Sequence, residues 1–80
     1  MRVIHKVIIG PEPQIVEAER LLHVAEQNGN LTLWYIASNT KYKFEIVVVP
    51  TGYAEVPVGQ YLGTTVMTDG LVWHTFYKGA

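Results

Sequence analysis

Cysteine is absent from these 80 residues, so neither a disulfide framework nor a thiolate site exists, and stability must come from a core or from association. Charge is scarce too. Asp, Glu, Lys and Arg make up 16% of the chain against 49% hydrophobic residues, the reverse of a disordered tail, so the chain should fold. Six Lys and Arg face seven Asp and Glu, a formal charge of −1, which lacks the cationic surplus that general nucleic-acid binding exploits. The length leaves room for one domain, residues 1–80, and excludes a two-domain enzyme. No apolar run approaches the ~18 residues of a membrane span, and Met1 to Lys6 does not read as a targeting segment. A cytoplasmic setting is the expectation.

The usual catalytic signatures are missing as well: no phosphate-binding glycine loop, no paired-histidine zinc motif, no nucleophile elbow. The single serine, Ser38, sits beside Asn39-Thr40 in a turn, where a hydroxyl satisfies local backbone groups. His5, His23 and His74 fall on separate strands without short ligand spacing, so they read as ordinary strand histidines, with no metal and no cofactor. Glu17 and Glu19, beside Arg20, read as a solvated face and not as a carboxylate pair tuned for acid–base work. The expectation is a protein that is not an enzyme.

What is present leans to β structure. Val occurs eleven times, Ile six and Thr seven, and these β-branched residues prefer a pleated surface. Arg2 to Ile9 reads as a strand closed by Gly10-Pro11-Glu12-Pro13, and Tyr42 to Val49 as another closed by Pro50-Thr51-Gly52. Gln60 to Met67 and Leu71 to Tyr77 flank Asp69-Gly70 and read as a hairpin on a tight primed turn. Asn28-Gly29 supplies a second such turn, with Leu31 to Ala37 after it. The segment before it is ambiguous: Ile15, Ala18, Leu21, Leu22 and Ala25 share one face of a helical wheel, yet Leu21 to Gln27 also reads as the first arm of a hairpin.

Leu22-His23-Val24, Gln27-Asn28-Gly29, Leu33-Trp34, Thr51-Gly52, Tyr61-Leu62-Gly63-Thr64 and Leu71-Val72-Trp73-His74-Thr75-Phe76 together resemble a family of small phage and prophage domains of unknown function. The resemblance covers about residues 3 to 77. It implies short strands throughout, with Leu21 to Ala37 a hairpin, although the family tends to place a Gly-containing turn where this chain has Glu17-Ala18-Glu19-Arg20. The expected fold is an all-β antiparallel sandwich or barrel of about six or seven strands. The alternative is α+β with a helix over residues 14–27.

In Lys41-Tyr42-Lys43-Phe44, alternation sends the lysines to one face and the rings to the other, so Tyr42 and Phe44 are expected in the core and the lysines at an exposed edge. Trp34, Trp73 and Phe76 are expected in the core as well. Tyr42 to Val49 and Arg2 to Ile9 are apolar on both faces, and one small core buries only one face of each strand. The second faces therefore call for a homo-oligomer or a partner, with Val47 and Val49 as the interface candidates. The Thr51-Gly52-Tyr53 loop is the candidate recognition site: Gly52 lets backbone approach a ligand, and Tyr53 offers a ring to stack on a base or fill a pocket. Arg20, Lys41 and Lys43 are the cations available to it. The resemblance implies a phage accessory protein acting in the host cell, countering defence by binding a defence protein or sequestering a nucleotide signal. The alternative is a structural or assembly component of the virion.

Overall fold

Extended strands organise the chain from residue 3 onward. A computed structural model describes residues 1–53 and 55–80. Among them lie seven strands and no helix: β1 (Val3–Ile8), β2 (Gln14–Ala18), β3 (Arg20–Gln27), β4 (Asn30–Ala37), β5 (Tyr42–Pro50), β6 (Gln60–Val66) and β7 (Val72–Gly79). They form two antiparallel sheets, β1-β4-β3 and β2-β5-β7-β6, packed face to face. The fold is the expected all-β sandwich. Two separate sheets replace the barrel alternative.

Leu31 and Leu33 of β4 and Leu21 and Val24 of β3 meet Val16 and Ala18 of β2 and Ile46 and Val48 of β5, with Ile9 and Met67 completing the core. Removing such β-branched and aliphatic side chains from water is the main favourable term in folding. The α+β alternative is corrected at residues 14–27. Val16 and Ala18 point inward while Ile15 and Glu17 stay exposed, a period of two. At Glu19 the chain leaves one sheet for the other, its N–H donating to the Ile36 carbonyl at 2.8 Å. A bulge at Leu22 then shifts the β3–β4 register. The wheel of Ile15, Ala18, Leu21, Leu22 and Ala25 does not form a face, since Ile15 and Leu22 are both exposed.

The two hairpins use different turns. Asn28 and Gly29 both have positive φ, 53° and 81°, the pattern of a two-residue primed turn. At Asp69-Gly70 the expected primed turn is corrected: of the pair only Gly70 has positive φ, and its N–H donates to the Met67 carbonyl while Met67 N–H donates to Leu71. This is a three-residue loop, a type I turn followed by a left-handed glycine. The Asp69 carboxylate accepts from Leu71 N–H at 2.9 Å and holds it.

Several aromatic placements differ from expectation. Trp73 packs against the core, but Tyr42 is exposed, its ring edge-on to the half-buried Phe44. β5 lies between β2 and β7, so Lys41 and Lys43 guard no edge. Trp34 and Phe76 lie on the outer faces of their sheets, because each pairs with residues that alternate outward, Lys6 and His23 for Trp34, Val47 and Tyr61 for Phe76.

Inside the four-stranded sheet, Thr75 is 0% exposed and its hydroxyl has no hydrogen-bond partner among the described residues. An unpaired buried hydroxyl carries its desolvation cost uncompensated. Thr75→Val keeps the β-branched shape and removes the hydroxyl, so it should stabilise the fold by about 1 kcal/mol and raise the melting temperature by roughly 4–8 °C in thermal denaturation.

Candidate functional site

The outer face of the four-stranded sheet carries a hydrogen-bonded row that crosses strands. β5 and β6 both run antiparallel to β7, so they are parallel to each other, and residues 51–59 must cross the sheet to join them. Pro50 to Tyr53 opens this crossing with a tight turn, Tyr53 N–H donating to the Pro50 carbonyl at 3.2 Å and Gly52 at φ 90°. Thr51 N–H donates to Val72 at 3.1 Å, which fixes the Thr51 side chain over β7.

There the Thr51 hydroxyl and His74 Nε2 share a hydrogen bond of 2.7 Å. On its other side His74 Nδ1 and the Thr64 hydroxyl lie 3.0 Å apart, and Thr64 meets the Tyr61 hydroxyl at 2.6 Å. A neutral imidazole donates from one nitrogen and accepts at the other, so one threonine gives a proton to this ring and the other receives one. Such a chain polarises along its length. The ring's hydrogen-bond partners among the described residues are the two threonine hydroxyls. The row is built to hold and present polar groups.

Its walls are apolar. Val49, Pro50, Tyr53, Val56 and Phe76 line a groove of about 260 Å³ with Thr51, Gly52, Glu55 and His74. Beyond the Tyr53–Val56 side lies a second groove of about 570 Å³, where Val47 and Val49 meet Pro57, Val58 and the prolines of residues 11 and 13. Val47 and Val49 are half-buried and share this groove with the chain's own crossing segment. Tyr53 itself is 62% exposed, and Val56 and Val58 are exposed beside it.

Of the six residues expected to bind, Thr51, Gly52 and Tyr53 sit together at this groove. The cations do not join them. Lys43 pairs with Glu17 near the far end of β5, roughly 23 Å from Pro50 at the rise of an extended strand. Lys41 precedes that strand, and Arg20 opens β3 in the other sheet. The charged side chain at the groove is Glu55. At the opposite corner Arg2 grips Glu19 in a two-pronged pair, 2.7 and 3.0 Å, and this hydrogen bonding holds the Glu19 carboxyl below the usual range. His5 and His23 lie in the sheet opposite His74.

His74, Thr64 and Tyr61 were not among the expected site residues. Strand alternation alone places His74 with Phe76 and Val72 on one face; what sequence reasoning lacked was the hairpin register. A two-residue turn at Asp69-Gly70 sets Thr65 opposite His74, whereas the observed three-residue loop sets Thr64 there.

Fold and site define a small two-sheet β domain with a shallow, mostly apolar groove and a polar floor. Its family can be stated: residues 1–80 match the model of a domain of unknown function, DUF7352, and the chain belongs to that family. No curated protein and no solved structure matches it.

Proposed function

We propose that this domain is a non-enzymatic binding module that occludes a partner protein with the outer face of its four-stranded sheet, where residues 51–59 cross it. The observation that carries this reading is the Thr51–His74–Thr64–Tyr61 row flanked by exposed Tyr53 and Val56, an apolar surface with fixed polar groups inside it. Protein interfaces have this make-up, with tyrosines enriched among their strongest contributors. A phosphate-bearing nucleotide is the weaker ligand, because Glu55 has the wrong sign and Arg20, Lys41 and Lys43 lie elsewhere. The resemblance to small phage domains supports a setting, an accessory protein in the infected host cell whose target is a defence protein. The same face, with Val47 and Val49, supports self-association as a second use of the surface.

Native mass spectrometry of the protein purified from its producing cell tests the reading by reporting copy number and co-purified species together. A protein partner at fixed stoichiometry is the expected result. Tyr53→Ala should weaken that complex about tenfold, or about 1.4 kcal/mol, with the melting temperature unchanged because the ring is exposed. A co-purified species of nucleotide mass, or an undiminished complex with Tyr53→Ala, overturns it.

A further inference from the structure

The three-stranded sheet has an edge that the fold leaves bare. β1 pairs with β4 on one side, and the backbone N–H and C=O groups on its other side have no partner among the described residues. Such an edge is a template for another strand, and proteins protect it with bulges, prolines or short length. The remaining edges of this sandwich carry such devices: β3 has its bulge at Leu22, β6 has one at Leu62, and β2 is five residues long behind Pro11 and Pro13. β1 has none. Its register with β4 is unbroken from Val3 to Ile8. Ile4 is 66% and Ile8 60% exposed, and Val3 and His5 of the opposite face are exposed as well, so β1 overhangs the core.

Alternation puts Ile4, Lys6 and Ile8 on the outer face, beside Ile36 and Trp34 of β4 and Arg20 and His23 of β3. This face is cationic without compensation. Lys6 donates to the neutral Gln27 at 2.6 Å, and neither Lys6 nor Arg20 forms an ion pair among the described residues. A second copy fits poorly. Directly opposed residues of two antiparallel strands must share a face, so the two registers centred on β1 set either Lys6 against Lys6, like charges directly opposite, or His5 against His5 with Lys6 opposite Ile4, and in neither does Lys6 meet an acid.

We infer that β1 is a docking edge for an extended segment of another protein, in which an acidic residue is flanked two positions away on each side by an apolar one. The segment adds a fourth strand to β1-β4-β3, its acid opposite Lys6 and its apolar residues beside Ile4 and Ile8. Backbone hydrogen bonds hold the segment, and these alternate side chains select it. The surface is on the other sheet from the Tyr53 groove, so the two stand or fall separately.

Titration of the isotope-labelled protein with the synthetic peptide Thr-Ile-Thr-Glu-Thr-Ile-Thr, followed by amide NMR, tests this. Shifts should be confined to β1 and the adjoining β4 residues, and the peptide with Lys in place of Glu should bind about two- to fivefold more weakly, the scale of a cross-strand charge pair. Lys6→Gln should erase the difference and Lys6→Glu invert it. N-methylation of the peptide amides along one edge should abolish binding. Equal binding of the two peptides, binding that survives methylation of each edge in turn, or no shift at millimolar peptide overturns the proposal. Shifts of β1 with protein concentration alone overturn it too, in favour of a second copy as the occupant.

Discussion

Replacing Gly59 by alanine should destabilise the domain by about 3 kcal/mol or more and lower its melting temperature by at least roughly 12 °C. Two causes add. Gly59 has φ 138°, where a side chain is strained whatever the space around it. A Cβ there would also stand 2.6 Å from the Tyr77 carbonyl oxygen and 3.1 Å from its carbon. That carbonyl belongs to β7, held between β5 and β6, so it cannot retreat without breaking the ladder. Gly59 is where the crossing segment turns back into β6, and the Tyr77 hydroxyl donates to Gln60 beside it at 2.9 Å. A displaced Gly59 therefore loosens both the sheet and the far end of the groove. Gly52→Ala is the control. Gly52 also has positive φ, at 90°, but a Cβ there meets nothing within 4 Å, so its cost should be confined to backbone strain of about 1 kcal/mol. Urea denaturation of both variants checks the contrast. Equal losses would mean that the approach to Tyr77 carries no weight.

The fold was legible in the sequence where alternation ran uninterrupted, and obscured where one residue was inserted into it. β4, β5 and β7 carry no inserted residue, and their bounds differ from expectation by one or two residues. Between residues 14 and 27 the inward residues are Val16, Ala18, Leu21 and Val24, because the sheet change at Glu19 and the bulge at Leu22 each add a residue. Spacings of three result, and a spacing of three is what an amphipathic helix also presents. The strand period is intact in space and broken along the chain. The site was half legible for a related reason. Thr51-Gly52-Tyr53 stood out through its turn chemistry, which is local, whereas the bonds to His74 and Thr64 depend on pairings 23 and 10 residues apart. Val47 and Val49 lie on the second face of their strand, and a crossing segment of the same chain borders the same groove, a neighbour that pattern alone does not reveal.

The two bulged edges meet at one close contact, and that contact supplies the other large effect. Gly63 of β6 faces Val24 of β3 across the sandwich, and a Cβ on Gly63 would lie 2.8 Å from Val24 Cγ2. Valine at 24 is buried and stiff at χ1, so the methyl cannot swing away cheaply. Gly63→Ala should thus cost roughly 1–2 kcal/mol, the overpacking penalty exceeding the few tenths to 1 kcal/mol that alanine gains over glycine in a strand. Val24→Ala alone opens a cavity and should cost about 2 kcal/mol. Were the sites independent, the double variant would lose about 3–4 kcal/mol, enough to unfold much of a marginal domain of this size. They share one space, so the new methyl occupies what the valine vacates, and the double variant should be more stable than the sum by about 1–2 kcal/mol. Because the residues belong to different sheets, a coupling of this sign, read from denaturant midpoints across the four proteins of the cycle, measures how tightly the sandwich closes at β3 and β6. Strict additivity would mean that the sheets stand further apart there than the 2.8 Å approach requires.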